Sequence, residues 1–509
     1  MKDEAFRGLG EIVHEHALAR PSQPALVQGE TTLTWGALDA LMDRVAAALQ
    51  RDGVQQGQAI ALCSTPTPIQ AALFLGALRA GVAVAPLAPS VTAQDFASML
   101  DDAQAKLLFV DAGAAALVPA GARSRCIGLE TGAPGRSFDE WLAPPGTTPR
   151  PVEITPAATF NIIYSSGTTG TPKGIVQPHG MRWTHMVRGS AYDYGPAGVT
   201  LLATPLYSNT TLVVFFPAIA MGGTVVLMAK FDAGRYLELA QQHRATHTML
   251  VPVQYQRIMA RPDFGNFDLS SFKYKFCTSA PFSAALKANV LARWPGGLVE
   301  FYGMTEGGGT CILDAHAYPD KLHTVGRPTE GHDIRLIDDA GREVAPGEAG
   351  EVVGHSPGMM SGYHGQPDKT REAEWYAPDG KRFIRTGDIG RFDADGFLIL
   401  FDRKKDMIIS GGFNIYPSDL EAQLREHPAV ADVSVVGVPS EQWGETPVAF
   451  VVRREGDATS ADALREWLNA RVGKTQRLAD LQCVDELPRS AIGKVLKREL
   501  RDRYVARQR

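Results

Sequence analysis

Cysteine is scarce in this chain and never paired along the sequence. Five residues in 509 (Cys63, Cys126, Cys277, Cys311 and Cys483) lie far apart, and none forms a Cys-x-x-Cys step. An odd number without metal-ligand spacing argues against a disulfide framework or a zinc site. It suits buried free thiols in a reducing compartment, so the expected location is cytoplasmic. Strong charge of either sign is also missing: the net charge of −5 supplies no bulk attraction to nucleic acid or to an anionic membrane. The opening residues, Met1-Lys-Asp-Glu-Ala-Phe-Arg7, lack the apolar core of a signal peptide. Residues 201–229 lack Asp, Glu, Lys and Arg and are numerous enough to span a bilayer. Pro205, Asn209, Pro217 and the pair Gly222-Gly223 interrupt that run, which reads instead as a loop, a buried helix and a buried strand at Thr224–Met228. Internal repeats and low-complexity segments are absent too.

What is present is an ordinary globular composition, 44% hydrophobic and 21% charged, in a chain too long for one core. Two or more domains are therefore expected. Leu38, Leu41, Met42, Val45, Ala46 and Leu49 recur at helical spacing and mark one face of an amphipathic helix. Ile60–Cys63 reads as a strand. Thr67 and Pro68 open a helix that Gly81 ends, and Val82–Leu87 is the next strand. Strand, helix and strand at this spacing make a βαβ unit, hence a parallel sheet covered by helices. Further strands are expected at Leu107–Val110, Thr248–Val251 and Phe272–Cys277. From about His332 the pattern turns to β, with Ile334–Ile337, Glu351–Gly354 and Gly396–Phe401 separated by turns such as Asp379-Gly380 and Asp395-Gly396. After the charged cluster Asp402–Asp406 comes a compact α+β pattern: helix Pro417–Glu426, strands Val433–Val438 and Pro447–Val452, helix Ala461–Val472. The expected fold class is α/β, with a large N-terminal domain at 1–402 and a small mobile α+β domain at 403–509.

The densest motif is Tyr164-Ser-Ser-Gly-Thr-Thr-Gly-Thr-Pro-Lys-Gly174. Ser165, Ser166, Gly167, Thr168, Thr169 and Gly170 offer small side chains, hydroxyls and free N–H groups that can cradle anionic oxygens, and Lys173 adds a point charge for a phosphate. The apolar run Ala158–Tyr164 before it predicts a buried strand leading into the loop. A Walker loop is excluded, because Lys173 follows Pro172 and precedes Gly174. A flexible Gly/Ser/Thr linker is the plain alternative for such a composition. Three more segments stand out: Phe301-Tyr-Gly-Met-Thr-Glu306, Arg385-Thr-Gly-Asp388, and Pro488-Arg-Ser-Ala-Ile-Gly-Lys494. Taken singly, each has a plain reading as a strand-end turn, a loop aspartate or a solvated lysine.

In this order the four motifs resemble those of the adenylate-forming superfamily, in its acyl- and aryl-CoA synthetase branch. The likeness covers roughly residues 20–500 and is closest to 4-coumarate, benzoate-type and fatty acyl-CoA ligases. It implies ATP, Mg²⁺ and coenzyme A as cofactors and substrates, with a hydrophobic acid activated as its adenylate. On this resemblance Lys173 and Thr305 contact phosphates and Tyr302 lies on adenine, with Gly303 and Ala280 beside it. Glu306 holds Mg²⁺, Asp388 grips both ribose hydroxyls, and Arg403 is the second contact to the ribose or the phosphate. Lys494 is the mobile catalytic lysine, and Lys405 is the hinge about which the small domain turns. Gly350–Gly354 and Gly362-Tyr363 match framework segments that carry structure rather than chemistry. The implied partners are small molecules, with no membrane span, and a homodimer is left open.

The acceptor is addressed by other residues. Gly411 and Gly412 match glycines lining a pantetheine tunnel, and Trp443 matches a tryptophan on which the adenine of CoA stacks, its alternative being packing. The segment 489–509 holds eight Lys/Arg against two acids, which suits phosphates or simply a solvated helix. No fused carrier domain is expected after Lys494. The acyl pocket falls to Ser208, Asn209, Gly307 and Gly308. Ser208 stands where related ligases often carry histidine or an aromatic residue, and Gly307-Gly-Gly-Thr310 points to an open pocket. A stand-alone enzyme that passes its acyl group to a carrier protein is the alternative function.

Overall fold

The computed structural model describes residues 5–165, 172–410, 413–490 and 493–508. By contact density the chain falls into two compact units, one of residues 1–333 with 354–384 and one of 334–353 with 385–509. The division at 402/403 expected from sequence concerns mobility, a different property from contact density.

In the first unit the helix Trp35–Arg51 starts where Thr34 accepts a hydrogen bond from the Ala37 amide, and it buries Leu38, Met42, Val45, Ala46 and Leu49. The helix Pro68–Arg79 starts the same way, with Thr67 as cap and proline in the first turn. Between and after them, strands Ala59–Cys63 and Ala83–Pro86 pair in parallel, as the βαβ reading requires. They belong to an eight-stranded sheet that also contains Leu108–Val110, Thr159–Ser165, Lys173–Pro178 and Gly362–Tyr363. Thr159–Ser165 and Lys173–Pro178 are antiparallel, with Ser165 opposite Lys173.

A second, nine-stranded sheet runs in parallel through Val199–Leu202, His247–Leu250, Tyr274–Cys277 and Gly297–Gly303, whose residues are largely buried, the polar Thr200, His247, Thr248, Lys275 and Glu300 included. Residues 201–202, read from sequence as loop, instead close a strand, held between two parallel neighbours. The charge-poor stretch continues as helix Asn209–Ala220 and strand Thr224–Leu227. Among the described residues no helix is long and apolar enough to cross a membrane. All five cysteines are free thiols, four of them buried.

In the second unit a sheet is built around the hairpin Val430–Ser440 and Gly444–Arg453, flanked by Ile408–Ser410 and Asp480–Cys483. Helices Pro417–Arg425, Ala461–Asn469 and Lys497–Gln508 accompany it. Its core gathers Ile408, Leu420, Leu424, Val433, Val435 and Leu464.

Candidate active site

Lys173 is the first residue of the strand that returns from the phosphate-type loop. Its ammonium lies 5.1 Å from the centre of the Tyr363 ring. The Tyr363 hydroxyl donates to Glu306 Oε1 at 2.9 Å, and burial followed by the Glu306 charge raises its pKa, so it remains a proton donor. One tyrosine thus links the phosphate-suited lysine to the metal-suited carboxylate. Tyr363 is a framework residue that positions the Glu306 carboxylate. The residue type gave no signal for that role; only the pairing of Gly362–Tyr363 with the Lys173 strand brings it there.

A buried polar network fixes the neighbouring turn. Gln177 Nε2 donates to the Thr305 carbonyl at 2.6 Å and to Asn209 Oδ1 at 3.4 Å, while Gln177 Oε1 accepts from Asn161 Nδ2 at 2.8 Å. Arg182 closes the network through Asn161 Oδ1 at 2.9 Å and through Gln177. Such satisfied buried networks hold a site rigidly. Sequence reasoning missed Asn161, Gln177 and Arg182. For Asn161 and Gln177 the available signal was a polar residue at an inward position of an apolar strand; Arg182, on the helix His179–Arg188, gave none.

Tyr302 and Gly303 end the strand Gly297–Gly303, and Thr305 and Glu306 form the turn beyond it. Ala280 follows Ser279, whose φ of +83° is unusual for a residue other than glycine and whose hydroxyl bonds Thr210. Strain of this kind survives only where the surroundings impose it, and it gathers at functional sites. Among the described residues no group of three His, Cys, Asp or Glu that could hold a metal ion is present, and Glu306 is the carboxylate offered by the turn beyond this strand. That arrangement fits Mg²⁺, which is commonly held by one or two carboxylates together with substrate phosphates.

The residues assigned to the acyl pocket also have structural parts of their own. Ser208 caps the helix Asn209–Ala220, its hydroxyl accepting from the Thr210 amide at 3.3 Å. Gly307 has φ +78°, and a Cβ there would sit 2.1 Å from the Gly358 carbonyl oxygen; one on Gly308 would sit 2.6 Å from Ile384 Cβ. These glycines are required by close chain packing.

In the second unit, Asp388 and Arg403 are register partners on neighbouring strands, and Arg403 Nε lies 3.2 Å from Asp388 Oδ1. Lys494 sits on a tight turn in which its amide donates to Ser490 Oγ at 3.2 Å and Gly493 takes φ +76°. Burial, then the charges of Arg403 and Lys405, push the Lys494 ammonium down to about 8, against the opposing pull of Asp388 and Asp406. The structure therefore gathers Asp388, Arg403, Lys405 and Lys494, four residues spread over more than a hundred positions of sequence. Trp443 is 47% exposed and precedes Gly444, the register partner of Ser410; Ile409 and Phe413, on strands either side of residues 411–412, are more exposed still. It is not a packing tryptophan. In the basic C-terminal segment, Arg489, Lys497, Arg498 and Arg503 each pair with a carboxylate, which favours the solvated-helix reading. Ser166, Gly167, Thr168, Thr169, Gly170, Gly411 and Gly412 lie outside the described residues, as does the side chain of Ser165.

Comparison with known proteins bears on the whole chain. Residues 13–364 match the model of the AMP-binding enzyme family, and residues 419–494 match that of the AMP-binding enzyme C-terminal domain. A feruloyl-CoA synthase of an Amycolatopsis species is 34% identical over 98% of this chain and 99% of its own. A fatty acid–[acyl-carrier-protein] ligase of Streptomyces coeruleorubidus, ScoC, is 32% identical over 96% of this chain and 95% of its own. The amide bond synthetase McbA from Marinactinospora thermotolerans superposes with a TM-score of 0.85 at 28% identity, over 98% of this chain and 99% of that one.

Proposed function

The chain belongs to the AMP-binding enzyme family, and from that premise we propose that it is an ATP-dependent acid–CoA ligase working through an acyl-adenylate. The observation that carries this reading is the link Lys173–Tyr363–Glu306, which sets a cation for phosphate and a carboxylate for Mg²⁺ on one tyrosine. A carboxylic acid cannot be condensed with a thiol at neutral pH, because hydroxide is a poor leaving group. Attack of the carboxylate on the α-phosphate of ATP expels pyrophosphate and makes AMP the next leaving group, so positioning and charge neutralisation do most of the work. Lys173 neutralises phosphate oxygens, and Thr305, with its carbonyl pinned by Gln177, offers its hydroxyl to the α-phosphate. Mg²⁺ held at Glu306 would supply further charge neutralisation. Asp388 accepts from the ribose hydroxyls. Lys494 stabilises the charge that develops between carboxylate and α-phosphate.

The acid is a hydrophobic one, fatty acyl or arylpropenoic. CoA is favoured as acceptor by the exposed Trp443, which offers a face for stacking adenine. The small domain from 403 onward, turning near Lys405, serves adenylation and thioester formation in turn. Transfer to a carrier protein is the second reading, favoured by the relation to the carrier-protein ligase. Pyrophosphate release measured over a panel of carboxylic acids tests adenylation, with CoA and a holo-carrier protein compared as acceptors. Release that depends on acid, followed by thioester formation with CoA, is expected. Absence of release with every acid overturns the reading.

A further inference from the structure

Arg188 ends the helix His179–Arg188, and its side chain lines a narrow cleft in the first unit. Phe276 and Phe301 line that cleft from neighbouring parallel strands, Val213 and Pro217 from the helix Asn209–Ala220, and Tyr192 from the turn after Arg188. The guanidinium carbon is 5.7 Å from the centre of the Phe301 ring. Among the described residues no carboxylate pairs with Arg188 and no hydrogen bond to it is found. That sets it apart from its neighbours. Arg182 spends its N–H groups on Asn161 and Gln177, while Arg79 pairs with Asp39 and Asp43. The imidazoles nearby do not compensate the charge. His185 is held well below its ordinary pKa by burial, then by Arg182, Arg188 and His332. His332 is pushed down to about 4 by burial, then by Arg188 and His355.

The guanidinium is half-buried beside aromatic rings and its N–H groups have no protein acceptor among the described residues, so they are available to an anionic or oxygen-bearing group. The elements that line the cleft also carry the candidate site. Strand Gly297–Gly303 leads to Thr305 and Glu306, strand Tyr274–Cys277 leads to Ala280, and the helix starts at Asn209. Val213 and Pro217 lie four and eight residues into that helix, about 6 and 12 Å from its start at 1.5 Å per residue. The free space in the cleft is about 10 Å³, roughly the room of one water. A terminal oxygen fits there, whereas a methyl end would leave the guanidinium unpartnered.

We infer that the cleft is the distal end of the acyl site, and that the preferred acid carries a second oxygen acceptor, a carboxylate or an aryl hydroxyl, at the end remote from its reacting carboxyl. This rests on the adenylation reading above. It narrows the substrate from any hydrophobic acid to one with a polar terminus for Arg188.

The test is kcat/KM for pyrophosphate release with matched acids: octanedioic against octanoic, and 4-hydroxycinnamic against cinnamic. One hydrogen bond to a charged group predicts a preference of about 10- to 150-fold for the acceptor-bearing member of at least one pair. Which pair shows it tells carboxylate from hydroxyl. Arg188→Met should bring that ratio close to one, and Arg188→Lys, which keeps the charge without the planar fork, should leave it intermediate. A wild-type ratio near or below one in both pairs overturns the inference, and so does a folded Arg188→Met variant that keeps the preference. If Arg188→Met does not fold, the wild-type ratios and Arg188→Lys still decide. Release with plain acids but without preference would sink the inference alone, whereas no release from any acid sinks the adenylation reading.

Discussion

Raising the pH should switch off adenylation before it harms the fold, and Lys494 is the reason. Its ammonium is pushed down to about 8, first by burial and then by Arg403 and Lys405. At pH 7 about nine-tenths of such a group is charged, and at pH 9 about one-tenth; an ordinary lysine near 10.4 would stay charged throughout. kcat/KM for ATP, which reports the free enzyme, should therefore fall about tenfold between pH 7 and 9. Stability should move the other way. The folded value lies below the unfolded one, so between about 8 and 10.5 the unfolded chain binds more protons. Folding stability from this group rises with pH across that window, and the penalty is fully present below it. The shift corresponds to about 2–3 kcal/mol after allowance for partial solvent contact. Pyrophosphate release and melting curves over the same pH series check both signs. Lys494→Ala should lose about 10²–10³ in adenylation, together with the wild-type stability rise. Lys494→Arg should show no fall near pH 8. A flat wild-type rate profile through pH 9, or the same fall in Lys494→Arg, would refute the assignment.

Trp443→Ala should raise the KM for CoA about 5- to 150-fold, the worth of a base stacked on an aromatic ring, and leave the KM for ATP unchanged. Because Trp443 is 47% exposed, the variant should lose well under the ~3–5 kcal/mol that a buried aromatic costs; steady-state kinetics with a melting curve checks both. Tyr363→Phe removes the hydrogen bond to Glu306 Oε1 and should raise the Mg²⁺ requirement about tenfold, with Glu306→Gln raising it further. Unchanged magnesium titrations would count against both roles. Gly307→Ala should destabilise by about 1–3 kcal/mol, because its Cβ would meet the Gly358 carbonyl at 2.1 Å, and a denaturant midpoint measures it.

Local chemistry was legible in the sequence wherever a short stretch dictated its own conformation. The cap Thr67, the helical stripe from Leu38 to Leu49 and the parallel strands around Ile60 and Val84 needed only nearest-neighbour sterics and apolar periodicity. The candidate site was legible in part for the same reason, since Lys173, Thr305, Glu306 and Lys494 sit in compact motifs. What a residue touches across the fold was not. Tyr363 could be assigned only once the edge pairing of its strand set its ring under Lys173. Gln177 and Asn161 gained their meaning when two strands put their amides face to face with Arg182. That Gly307 and Gly308 also have to make room for the chain itself was visible only once Gly358 and Ile384 were packed against them. Arg188 shows the division most plainly. Sequence marks it only as a cation at a helix end, while the packing of two strands and a second helix half-buries it among aromatic rings, with no carboxylate beside it among the described residues. Hydrogen-bond partners and burial depend on residues far apart along the chain, so only the tertiary structure decides them.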